Sequence, residues 1–174
     1  QAGALVTNSQ QIYDIAASLR VHGEGHLRFH HDLLSGNYRM DELQAAILRA
    51  KLPHLNTWNR RRREIATRYR GEFEGRFNMQ PDHPNHVYHI FAVRHPQRDS
   101  LQNFLRERRI QTSVRYPVAV HEETAVAGLY NLQGHFPIAS MWARETLSLP
   151  IYPEMPEDHV DQVIQAVLEW REAL

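Results

Sequence analysis

One stretch limits the possible folds more than any other. Between Asp41 and Phe73, the residues Leu43, Ala46, Ile47, Ala50, Leu55, Trp58, Ile65, Tyr69 and Phe73 step mostly by three or four. That spacing draws an apolar stripe along one long helix. Asp41 stands where an N-cap belongs. Pro53 removes a backbone donor inside the run and predicts a kink there. A long helix bent once is a common link between two lobes, so a domain boundary is expected at residues 52 and 53.

The flanking segments differ in character. Ala4-Leu5-Val6 is a short apolar run suited to a strand buried on both faces. Asn8 or Ser9 can cap the next helix, where Ile12, Ile15, Ala16 and Leu19 recur at helical spacing. Gly23 and Gly25 end it, and residues 22 to 35 read as an irregular loop. Beyond the long helix, His86 to Arg94 has strand composition, with its two faces alternating. Leu101, Phe104 and Leu105 mark a helix, and Ile110 to Tyr116 reads as a second main strand stopped by Pro117. Ile138, Trp142, Ala143 and Leu147 predict another helix. Pro156 suits the first position of the last one, whose buried stripe is Val160, Val163, Ile164, Val167, Leu168 and Trp170. The expected class is α+β, with helices on one face of a short, mainly antiparallel sheet.

Composition excludes several functions. The 20 basic and 20 acidic residues cancel, which gives no global pull toward nucleic acid or an anionic membrane. No cysteine is present, so neither a disulfide nor a thiolate zinc site can form. No apolar run approaches the roughly 20 residues of a membrane span. There is no basic-then-apolar leader either, so a cytoplasmic location is expected. Arg60-Arg61-Arg62-Arg63 would lie on all sides of a helix, so solvated or ion-paired roles are expected there. Of the 12 histidines, His83, His86 and His89 step by three, and His26, His30 and His31 cluster. In a strand His86 and His89 face opposite sides, and no acidic ligand stands close by; no metal site is expected.

The most informative stretch is Ser35-Gly36-Asn37-Tyr38-Arg39-Met40-Asp41-Glu42-Leu43-Gln44-Ala45-Ala46. Gly36 permits a tight turn and close approach by a ligand. Asn37 and Arg39 offer donors just before a helix N-terminus, where backbone N–H groups and the helix dipole also favour an anion. The planar fork of arginine suits phosphate or carboxylate. Taken alone, a turn of this kind is more often an ordinary helix cap than an anion site.

This segment is similar to the G-x-N-x-R-[ML]-x-x-[LF]-x-A-A motif of the DegT/StrS-type aminotransferases. Other blocks follow in the family's order: Leu19-Arg20-Val21-His22-Gly23, Arg61-Arg62-Arg63-Glu64-Ile65-Ala66, His86-Val87-Tyr88-His89, Ile110-Gln111-Thr112, Tyr116-Pro117 with His121, and Leu147-Ser148-Leu149-Pro150. The resemblance implies a dimeric fold-type I enzyme dependent on pyridoxal 5′-phosphate. Such enzymes transfer an amino group from glutamate or glutamine to a nucleotide-linked keto sugar. Residues 1-52 would be the C-terminal part of the large cofactor-binding domain, and 53-174 the small C-terminal domain. Asn37 would reach the cofactor phosphate of the neighbouring subunit in a homodimer, with Arg39 beside it. Tyr116 and His121 would lie near the substrate.

The resemblance also implies what this chain lacks. The Schiff-base lysine would fall before Gln1, and Lys51, the sole lysine, sits inside the long helix. The opening Gln1-Ala2-Gly3-Ala4-Leu5-Val6-Thr7-Asn8 reads as a strand entered mid-fold, so the chain is expected to be a processed or truncated product, or one segment of a longer protein, inactive alone. Its first strand and helix would then expose an apolar patch. Two alternatives stay open: a non-catalytic binding module derived from the small domain, and a lysine-less dehydratase relative.

Overall fold

The long stripe of the sequence is divided at its proline. In the computed structural model, which describes residues 2–129 and 136–172, it begins as helix α2, Glu42–Lys51. Leu52–His54 then form a 3-10 turn containing Pro53, and helix α3 runs from Leu55 to Phe73. The chain separates into two compact units, Gln1–Leu55 and Asn56–Leu174.

The first unit is built from caps and turns. Helix α1, Gln10–Arg20, starts at Ser9, whose Oγ accepts from the Ile12 N–H at 3.4 Å. It closes where the Gly23 N–H donates to the Ser18 carbonyl at 2.9 Å. Gly23 has a φ of +73°, and a Cβ there would stand 1.8 Å from the Leu33 carbonyl oxygen, so only glycine fits. Helix α2 opens with a reciprocal cap: Asp41 Oδ1 accepts from the Leu43 N–H at 2.8 Å, and Gln44 Oε1 accepts from the Asp41 N–H at 3.3 Å. Neither helix has a buried residue. The strand expected at Ala4–Val6 does not form, and Leu5 and Val6 are 63% and 94% exposed. A strand buried on both faces needs neighbours on both edges, and the described residues of this unit contain no sheet.

The second unit holds the core. Its sheet consists of β1 (Asn78–Met79), β2 (Phe91–Arg94) and β3 (Thr146–Leu149), antiparallel in the order β1-β2-β3. Around it lie α4 (Arg98–Glu107), α5 (Thr124–Leu129), α6 (Pro137–Glu145) and α7 (Glu157–Glu172). The register pairs Phe91 with Leu149 and Val93 with Leu147. Because side chains alternate along a strand, these four share one face. They join a core with Ile65, Tyr69 and Phe73 of α3, Leu101 and Leu105 of α4, and Val160, Val163, Val167 and Trp170 of α7. Ala92, Arg94, Thr146 and Ser148 take the opposite face, where Arg94 lies over the Trp142 ring of α6 at 5.2 Å. Helices therefore cover both faces, rather than the one expected.

Three further expectations need correction, two of strands and one of a helix. Only Phe91–Arg94 of the run from His86 pairs, and Tyr88 has a φ of +46°, which breaks the extended chain. Ile110–Tyr116 makes one isolated bridge, Ser113 to Ser148, instead of a strand. Leu147, read as helical, belongs to β3, where it pairs with Val93 and all four residues are buried. The arginine run clamps α3 to the unit. Arg62 donates to the Ile151 carbonyl at 2.7 Å, Arg63 to that of His86 at 3.0 Å, and Arg61 to Glu157 at 2.6 Å. No helix among the described residues is long and apolar enough to cross a membrane.

Candidate functional site

The sequence directs attention to two places, and they lie in different units. In the first, Asn37 is held by an antiparallel bridge to Val21, flanked by bonds from the His22 N–H to the Gly36 carbonyl and from the Tyr38 N–H to the Arg20 carbonyl, both 2.9 Å. Gly36 thus sits beside an isolated bridge rather than in a tight turn, and a Cβ there would meet the Tyr38 ring at 3.5 Å. Asn37 Oδ1 accepts from Arg39 twice, from N–H at 3.3 Å and from Nε at 3.0 Å. That pairing occupies the acceptor of Asn37 and leaves its two amide donors, together with the terminal guanidinium nitrogens, without partners among the described residues. Both residues are exposed. Asp41 already fills the α2 N-terminus, so the donors available to an anion are these side chains and not the helix end. Arg39 also borders a cavity of about 1030 Å³ with Tyr13, Arg20, Ser35 and Tyr38. The donor set fits a phosphate.

The second place is an open cavity of about 570 Å³ bordered by the sheet, α6 and the segment 115–121. Tyr116 and His121 both line it, with Phe136, Ala139 and Trp142. Tyr116 is 70% exposed at the rim. His121 is fixed more firmly: its Nε2 lies 3.3 Å from Ser140 Oγ, and its ring tilts against Phe136 at 4.9 Å. Glu122 accepts a hydrogen bond from the same Ser140 hydroxyl, which holds its carboxyl below the usual carboxylate range. Sequence reading missed Glu122 and Ser140 as partners of His121. They stand 18 residues apart, and no local pattern couples a 3-10 turn to a distant helix.

No group of three or more His, Cys, Asp or Glu among the described residues could hold a metal ion. His83 and His86 instead cap local turns, accepting through Nδ1 from the Asn85 and Tyr88 N–H groups at 3.1 and 2.9 Å. Lys51 lies at the exposed end of α2.

Comparison with known proteins shows the family and the fold. The profile of the DegT/DnrJ/EryC1/StrS aminotransferase family matches residues 1–168. A "Pleiotropic regulatory protein" of Geobacillus stearothermophilus is 38% identical over 97% of this chain and 46% of its own length. A dTDP-3-amino-3,4,6-trideoxy-alpha-D-glucose transaminase of Streptomyces venezuelae is 38% identical over 98% of this chain and 46% of its length. The crystal structure of S. venezuelae DesV, in complex with a ketimine intermediate, superposes with a TM-score of 0.88 at 37% identity, over 97% of this chain and 46% of DesV. The chain thus spans about half the length of these relatives, and its fold is that of their C-terminal part. It belongs to the DegT/DnrJ/EryC1/StrS aminotransferase family.

Proposed function

We propose that this chain is the C-terminal part of a pyridoxal-phosphate-dependent aminotransferase that moves an amino group from glutamate or glutamine to a nucleotide-linked keto sugar. The observation that carries the reading is the Asn37–Arg39 pair, locked together through one carbonyl with its remaining donors turned outward. When bound, pyridoxal 5′-phosphate supplies the electron sink for amino transfer. Asn37 and Arg39 bind its phosphate in the neighbouring subunit of a homodimer, the guanidinium adding a charge-assisted bond to a dianion. Tyr116 and His121 border the sugar, in an open cavity whose other walls are mostly apolar. Residues 1-52 complete the large domain and 53-174 form the small one, in a cytoplasmic enzyme.

The residues present suit the phosphate but not the covalent bond. Lys51 is exposed on α2, so the Schiff-base lysine is assigned to a polypeptide segment outside this chain. A second reading, a non-catalytic binding module, draws on that same lack and on the regulatory name of one 38% identical relative. Absorption spectroscopy separates the two. The chain is mixed with pyridoxal phosphate, with and without a lysine-bearing polypeptide that supplies the rest of the family fold. A near-visible band surviving gel filtration only in the full mixture is the expected result. No band in either sample favours the module.

A further inference from the structure

His121, Glu122 and Ser140 form a hydrogen-bonded group whose arrangement goes beyond lining a cavity. Ser140 is 8% exposed, on α6. Its single hydroxyl proton has three neighbours: Glu122 Oε1, the Phe136 carbonyl at 3.4 Å, and His121 Nε2 at 3.3 Å. A carboxylate can only accept, and it is the strongest acceptor of the three. The proton therefore points to Glu122. Ser140 Oγ is left to accept, and among the described residues the donor facing it is His121 Nε2, which also lies 3.6 Å from Glu122 Oε1. A neutral imidazole carries one proton, so protonating Nε2 leaves a lone pair on Nδ1. Nδ1 has no hydrogen-bond partner among the described residues, while the Phe136 ring at 4.9 Å restrains the imidazole.

We propose that Glu122 and Ser140 are positioning residues that fix the Nε2–H tautomer of His121, so that Nδ1 serves as acceptor for a hydroxyl of a bound sugar. This rests on the reading that the cavity beside Tyr116 and His121 takes the sugar portion of the substrate. A ring-nitrogen lone pair accepts from a neutral hydroxyl and gains nothing from a diphosphate, whose oxygens are themselves acceptors. His121 touches the ligand, and the other two act through it.

Nuclear magnetic resonance of the chain, isotope-labelled at the histidine ring nitrogens, tests the relay with the ring neutral. A His121→Gln spectrum assigns the signal. The expected result is a pyrrole-type Nε2, a pyridine-type Nδ1, and slow exchange of the Nε2 proton with water. Glu122→Gln gives the side chain a donor of its own, so the hydroxyl can turn to His121 and the Nδ1–H tautomer should rise. Ser140→Ala should abolish the slow exchange, with the amide spectrum remaining dispersed as a control for folding. A mixed tautomer in the unsubstituted chain, or a His121 signal that neither variant moves, overturns the relay. Titration with dTDP-glucose should shift Nδ1 while dTDP alone should not. Equal shifts, or none, overturn the assignment to a sugar hydroxyl. None of these readouts needs pyridoxal phosphate or turnover, so failure of the relay is distinguishable from failure of the aminotransferase reading.

Discussion

His95 shows how a single residue ties packing to acidity. Its ring meets Trp170 edge-on at 5.0 Å and Phe77 at 5.8 Å, and its Nδ1 accepts from the Gln97 N–H at 3.1 Å. Burial pushes its pKa below the ordinary 6.5; Arg171 acts in the same direction and Glu145 opposes it. The unfolded chain therefore binds more protons than the folded one between the lowered pKa and 6.5. Stability from this residue is complete above that window and lost as pH falls through it. Urea unfolding at several pH values checks this: the midpoint should drop on acidification, and His95→Gln should flatten that part of the profile. Nothing in the sequence marks His95 among 12 histidines, because its partners arrive from α7 and from the segment before β1. Asn37 and Arg39, by contrast, were legible as a pair because both lie in one short motif.

At the scale of elements, the sequence spoke clearly for helices and poorly for strands. The α7 stripe and the Ser9 and Asp41 caps depend on residues a few positions apart, so local spacing reveals them. Strand β3 depends on β2, more than 50 residues away in the chain, and Ala143-to-Leu147 spacing imitates a helix until that pairing is known. The arginines of α3 divide by environment in a way their sequence conceals. Arg62 is half-buried and donates to the carbonyls of Tyr88, His89 and Ile151. Arg68 forms exposed pairs with Glu157 and Asp161. Arg62→Ala strands those carbonyls and should cost about 1.5–3 kcal/mol. Arg68→Ala should cost less than about 1 kcal/mol, and less still in high salt. Denaturation midpoints at low and high ionic strength compare the two; a larger loss at Arg68 contradicts this account of the clamp.

Across the whole molecule, the two units contrast in how much they bury. The second encloses Tyr69, Phe73, Phe91 and Leu101 completely. The first leaves Leu5, Tyr13, Leu34, Leu43 and Leu52 more than half exposed. Exposed apolar area of that kind calls for a partner surface. The chain alone should bind an apolar fluorescent dye, and its α1 and α2 amides should exchange with solvent faster than those of α3 and α7. A polypeptide that supplies the rest of the family fold should suppress both signals. A compact monomer that binds no dye contradicts this. Sequence reading foresaw the patch from the Ala4–Val6 run, yet mistook the run for a formed strand, since pattern reports what a segment can pair with and not whether a partner is present.

The central claim, that Asn37 and Arg39 grip a cofactor phosphate while the covalent anchor lies in another segment, has a direct measurement. Pyridoxal phosphate affinity is determined by fluorescence titration for the chain combined with a lysine-bearing polypeptide, and again with Asn37→Ala. Loss of a hydrogen bond to a charged group, worth roughly 1.5–3 kcal/mol, predicts affinity weaker by about ten- to a hundredfold. Equal affinity for the two forms, with both chains folded, would contradict the claim.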